Sequence, residues 1–119
     1  MTGGQDPHCL FCRIVRGEAP AKVLFETDRV LAFEDVRPQA PVHVLVIPKD
    51  HVASLNDAPD GSPELLGEAL FAARRAAAEK GLAASGYRIV LNTGPDSGQA
   101  VFHIHFQVLG GRHLHWPPG

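Results

Sequence analysis

The chain has 119 residues, of which 45% are hydrophobic and 20% charged, and its formal net charge is −2. That length suits one domain with a core of its own and is too short for two. A near-neutral charge argues against a nucleic-acid footprint or attraction to an anionic membrane surface, and no apolar run approaches the roughly 20 residues of a membrane span.

In chain order, Met1 to Pro7 are polar and glycine-rich, unlike a secretory signal. This predicts a cytoplasmic protein with a disordered segment over residues 1–8 and a domain over 9–119. Cys9 and Cys12, the two cysteines of the chain, stand in a Cys-Leu-Phe-Cys spacing. In a reducing compartment such a pair reads as half a zinc site, a redox pair or two unrelated buried thiols. No thioredoxin-like βαβ pattern follows, which puts the redox pair last. Phe11 to Arg16 predict a short helical turn ended by Gly17 and Pro20. Val23 to Phe25 and Val30 to Phe33 read as strands joined by a turn through Glu26-Thr27-Asp28-Arg29. Val42 to Ile47 is a third strand, bounded by Pro41 and Pro48.

Ser62-Pro63-Glu64 is a helix start, with a capping hydroxyl, a proline at the first helical position and an acid in the first turn. Leu66, Leu70, Ala73 and Ala77 follow at helical spacing, and Gly81 supplies the stop. Tyr87 to Leu91 and Val101 to Leu109 are the last strands. The tail Gly110 to Gly119 carries Trp116-Pro117-Pro118 and is predicted to be irregular but packed. Five strands with short turns and one long inserted helix predict an antiparallel α+β domain.

The last predicted strand carries the chemistry. In Val101-Phe102-His103-Ile104-His105-Phe106-Gln107-Val108-Leu109, three polar residues alternate with bulky apolar ones. On a strand, Phe102, Ile104, Phe106 and Val108 would bury on one face while His103, His105 and Gln107 line the other. Imidazole, with an unperturbed pKa of about 6.5, can be a neutral nucleophile near neutral pH. A lone histidine there would more simply face water, and alternating histidines are also common metal ligands. Upstream, Asn92-Thr93-Gly94-Pro95-Asp96-Ser97-Gly98-Gln99-Ala100 can turn backbone N–H groups towards an anion. It leads into a strand, which excludes the phosphate loop of nucleotide hydrolases. Alone it reads as a hairpin connection; beside a histidine-bearing strand it reads as a phosphate grip.

His103-Ile104-His105-Phe106-Gln107-Val108-Leu109 resembles the signature of the histidine triad superfamily, with Gln107 where a third histidine usually stands. Ala21-Lys22-Val23, Leu31 to Asp35, Pro38 to His43, Val46 to Lys49 and the ending Gly110 to Gly119 resemble its histidine triad nucleotide-binding (Hint) branch. That resemblance implies a five-stranded antiparallel sheet with one long and one short helix, in a two-fold dimer with a joined sheet. It also implies a purine nucleotide substrate and two-step transfer through a covalent nucleotidyl-histidine, with no organic cofactor, no nucleic acid and no membrane.

By the same resemblance, His105 is the nucleophile and His103 its supporting neighbour, while Asn92 and Gly98 grip the phosphate and Asp35 holds the ribose hydroxyls. Phe11, Phe33, Val36 and His43 line the nucleoside pocket, and Trp116 approaches the partner's site. Ala100 stands where a phosphate-contacting serine is common. Gln107 can donate a hydrogen bond but cannot give a proton to a leaving group, which leans towards a nucleotidyltransferase or dinucleotide phosphorylase, or towards a binding module with little turnover. Cys9, Cys12, His51 and His103 match a structural zinc set, for which two thiolates and two imidazoles make a closed tetrahedral group; two buried thiols without metal are the alternative. His8, His113, His115, Arg74, Arg75, Glu79 and Lys80 read as surface or packing residues.

Overall fold

The computed structural model describes residues 5–119 and contains a five-stranded antiparallel sheet in the order β1-β2-β3-β5-β4. The strands are β1 (Val23–Glu26), β2 (Val30–Glu34), β3 (Val42–Pro48), β4 (Tyr87–Val90) and β5 (Phe106–Gly110), with helices α1 (Leu10–Val15) and α2 (Pro63–Glu79). No helix among the described residues is long and apolar enough to cross a membrane.

The sheet has two different faces. On one, Val30, Ala32, Val44, Val46, Phe106 and Val108 pack against α2. On the other, Leu31, Phe33, Leu45 and Ile47 pack against Phe11 of α1. A six-residue helix covers only part of a sheet face, and the uncovered remainder is where the polar residues of β3 and β5 emerge. Both faces of the central strand β3 are buried from His43 to Pro48, as expected of a strand covered on each side.

Helix α2 starts with Pro63 and has Glu64 in its first turn, but Ser62 makes no side-chain capping bond. Its φ of −78° and ψ of −17° are helical, whereas a capping residue needs an extended backbone to turn its oxygen onto the following N–H groups. The other end stops as the glycine predicts. Gly81, at φ 76°, donates to Ala78 O at 3.0 Å, and Leu82 donates to Ala77 O at 2.9 Å, a Schellman closure. The buried stripe is Leu65, Ala69, Ala72, Ala73, Ala76 and Ala77, while Leu70 is 44% exposed. The helix is apolar at so many adjacent positions that two stripes one residue apart satisfy the same period, and the alanine-rich one lets the helix lie closer to the sheet.

Two further expectations are corrected. β5 begins at Phe106, not Val101, so alternation of faces holds only from Phe106 onward. Before it, Phe102 is 60% exposed while His103, Ile104 and His105 are all buried. The tail is irregular, but Trp116 is 78% exposed in the single chain; Arg88 holds the tail through the carbonyl of His115 at 2.9 Å. Of the N-terminal stretch expected to be disordered, residues 1–4 lie outside the described residues. Gln5 donates to Lys49 O at 3.2 Å, and the backbone of Asp6 accepts from Cys9 N–H at 3.1 Å.

Candidate active site

The segment before β5 leaves the sheet: the β3–β5 pairing ends at Val46 and Phe106, and Ile47 and Pro48 pair only with β2. Residues 101–105 turn instead to the chain beyond β3. Ile104 N–H donates to Val52 O at 2.7 Å, and His103 Nε2 donates to Pro48 O at 2.8 Å. This crossing places two histidines back to back, each with one ring nitrogen committed to a backbone carbonyl.

His105 Nδ1 donates to His103 O at 2.8 Å. In the neutral ring the proton therefore sits on Nδ1, and Nε2 keeps its lone pair. Phe11 meets the His105 ring edge-on, with centroids 5.3 Å apart and planes at 87°, which fixes the ring's tilt. His103 is fully buried, and burial pushes its pKa down to about 4. It is neutral near pH 7, and with Nε2 donating to Pro48 its Nδ1 is an unprotonated ligand.

That Nδ1 faces sulfur. It lies 3.4 Å from Cys9 Sγ and 3.6 Å from Cys12 Sγ, and Cys12 Sγ is 3.4 Å from His51 Nδ1. All four ligand atoms lie within 4.8 Å of one another. In a tetrahedron with Zn–S of about 2.3 Å and Zn–N of about 2.05 Å, a sulfur–nitrogen edge is about 3.6 Å. The cluster has the spacing of a closed S₂N₂ shell, and the donor set fits zinc. Cys9 caps α1, its Sγ accepting from Cys12 N–H at 3.4 Å, so the helix start itself sets the sulfur geometry. Burial raises the Cys12 thiol pKa, which keeps it protonated unless a cation holds it as thiolate.

Gln107 stands on the sheet face opposite α2. Its Oε1 accepts from His43 Nε2 at 2.9 Å, and His43 Nδ1 accepts from Gln39 N–H at 3.0 Å. Asp35 Oδ2 lies 3.5 Å from His43 Nε2, and Oδ1 accepts from Arg37 N–H at 2.8 Å. The structure thus brings Asp35, His43 and Gln107 together. Phe11 and Phe33 are 5% and 3% exposed and meet at 5.5 Å, so they form a floor under the histidines more than an open slot. Val36, the residue after Asp35, is 87% exposed.

The loop from Asn92 to Ala100 bends through Gly94 and Gly98, both at φ 83°. Asn92 is half-buried, and Gly98 and Ala100 are exposed. The splint of this loop went unassigned in the sequence. Gln99, 7% exposed, accepts from Gly94 N–H at 2.9 Å and donates to Ala53 O at 2.8 Å and Val101 O at 3.2 Å. A carboxamide among small residues was the only local signal. The carbonyls of Pro48 and Val52 gave none, since every residue has one.

The HIT domain family model matches residues 16–114. The Arabidopsis thaliana protein named "Adenylylsulfatase HINT1" is 46% identical over 116 residues, covering 96% of this chain and 78% of its own. The "14 kDa zinc-binding protein" of Zea mays is 45% identical over 116 residues, covering 96% and 90%. Among solved structures, a HIT family hydrolase from Legionella pneumophila superposes with a TM-score of 0.91 at 52% identity, over 94% of this chain and 100% of that one.

Proposed function

Since the chain belongs to the HIT domain family, we propose that it is a purine nucleotide hydrolase or transferase that works through a covalent nucleotidyl group on His105. The observation that carries this reading is the Nδ1–H bond from His105 to the His103 carbonyl at 2.8 Å, which leaves Nε2 as a neutral nucleophile. Nε2 attacks the α-phosphorus and forms an N–P bond as the bond to the leaving group breaks. Water, or phosphate as an alternative acceptor, then attacks the same phosphorus and the N–P bond breaks.

The backbone around Asn92 and Gly98 holds the phosphate in this scheme, and Asp35 holds the ribose hydroxyls through the carboxylate edge not used by Arg37. Val36, exposed next to Asp35, offers an apolar surface to the base. Cys9, Cys12, His51 and His103 hold a structural zinc, whose chemistry there is to keep both thiols ionised and the four side chains in one place; the name of the maize relative supports this. The protein acts in the cytoplasm as a two-fold dimer, in which the partner covers Trp116, exposed in the single chain.

Gln107 decides the leaving group. A carboxamide supplies no proton, so a departing amine must find one elsewhere, whereas sulfate or phosphate leaves as an anion. The name of the Arabidopsis relative agrees with an anhydride substrate. A transferase using phosphate as acceptor is the second reading, favoured by the same residue. Turnover of adenosine 5′-phosphosulfate and of adenosine phosphoramidate, each with and without phosphate, tests these readings. The sulfate should be the faster substrate, and Gln107→His should raise only the phosphoramidate rate, by about tenfold or more given the 10²–10⁴-fold typical of general acid catalysis. An unchanged or lower phosphoramidate rate in Gln107→His would remove Gln107 from the acid position.

A further inference from the structure

We propose that His43 is a positioning residue that locks the Gln107 carboxamide with its NH₂ end, and not its oxygen, turned to the reacting phosphoryl group. The inference rests on the reading of His105 as nucleophile and adds the device that lets a carboxamide serve beside it.

The chain of donors runs in one direction. Gln39 N–H can only donate, so His43 Nδ1, 3.0 Å away, is an acceptor without a proton. The ring proton must then be on Nε2. What surrounds Nε2 agrees: Gln107 Oε1 at 2.9 Å and Asp35 Oδ2 at 3.5 Å. The carboxylate can only accept when ionised, and it favours a proton on the nitrogen it faces. The shorter contact carries the hydrogen bond, and the donor is His43. A carboxamide whose oxygen is held in this way must present its nitrogen on the other side.

Among the described residues, nothing uses that nitrogen: Gln107 Nε2 makes no hydrogen bond, and no buried side-chain polar atom lacks a partner. Two N–H groups are therefore left for a ligand. Rotating the carboxamide by half a turn would put its oxygen against the phosphoryl oxygens, exchanging an attraction for a repulsion. Left alone, the two orientations of a carboxamide are nearly equal in shape, so a fixed donor behind the oxygen is what separates them. The His43 side chain is only 2% exposed. It has almost no surface for a ligand of its own and acts through Gln107.

Four measurements test this. In the wild-type protein, ¹⁵N NMR of the His43 ring should show the proton on Nε2 and a bare Nδ1; the opposite tautomer overturns the proposal. His43→Leu should lower kcat for adenosine 5′-phosphosulfate about tenfold, part of the cost of losing one donor at a developing oxyanion, with the Kd of AMP within about threefold. In a Gln107→Ala background the same substitution should change kcat less than about twofold, because the residue it acts through is gone. An equal cost in both backgrounds, or no cost in either, overturns it. If the wild type turned over no adenylyl compound, the enzymatic reading would fail on its own. The Gln107 NH₂ signals would still decide the orientation: they should shift on AMP binding in wild type and not in His43→Leu, and unshifted wild-type signals count against the proposal.

Discussion

His105→Ala is expected to lower turnover of adenosine 5′-phosphosulfate by at least about 10⁴-fold, the scale seen when a covalent nucleophile is removed, while the Kd of AMP changes by less than about tenfold, roughly 1.4 kcal/mol. The asymmetry follows from how the site is divided. The nitrogen proposed as nucleophile belongs to one ring, held by one carbonyl at 2.8 Å. The groups proposed to bind the nucleotide come from other elements: Asp35 after β2, the loop of Asn92 and Gly98, and Gln107 on β5. The His105 ring is 9% exposed, and its loss leaves a small cavity against Phe11 without unravelling the segment. That segment is tied by backbone bonds at Ile104 and through the His103 side chain. Steady-state kinetics and calorimetric titration with AMP check the two halves separately. A variant retaining more than a few per cent of the wild-type rate would exclude the covalent route.

Cys12→Ser is expected to reduce bound zinc from one per chain to below about a tenth on elemental analysis, and to lower the melting temperature by about 10 °C or more. Cys12 is the most central ligand of the cluster. It is fully buried, its sulfur lies 3.4 Å from His51 and 3.6 Å from His103, and it also accepts from Asp6 N–H at 3.4 Å. A structural zinc contributes its binding free energy directly to folding, on the order of 10 kcal/mol in small metal-dependent folds. Here the hydrophobic core shares the task, so only several kcal/mol should be lost, which at this chain length corresponds to the stated shift. The effect should also reach the chemistry, because His103 is both a proposed ligand and the residue whose carbonyl accepts from His105. Wild-type protein isolated without metal, melting at the same temperature as Cys12→Ser, would contradict the zinc reading.

Much of this arrangement was legible in the sequence. All five strands and both helices were predicted, because their apolar runs are bounded by Pro41, Pro48, Pro63, Gly17 and Gly81, which act locally. The four proposed zinc ligands, Cys9, Cys12, His51 and His103, meet in space. What failed depended on distant partners. The start of β5 was placed five residues early, since alternating apolar residues look alike whether they face a sheet or a crossing loop. Val101 to His105 lose their ladder because β3 ends its pairing with β5 at Val46, a fact of register. On α2, Ala73 and Ala77 of the expected stripe are buried, but Leu70 is 44% exposed and Leu65 and Ala69 are buried instead, because the closeness of the sheet is not written in the helix. Ser62 looked like a cap and has a helical backbone. The bond of His43 to Gln107 joins residues 64 apart in sequence through the β3–β5 pairing, which no local pattern encodes.

The central claim is that phosphorus passes through His105 Nε2 and not directly to the acceptor. Stereochemistry at phosphorus tests it without requiring the intermediate to accumulate. Each in-line displacement inverts the centre, so an adenylyl substrate made chiral at the α-phosphorus with sulfur and oxygen isotopes, hydrolysed in isotopically labelled water, reports the number of steps. Two displacements through a nucleotidyl-histidine predict product with overall retention of configuration; product with inverted configuration would mean a single direct attack by water and would contradict the account.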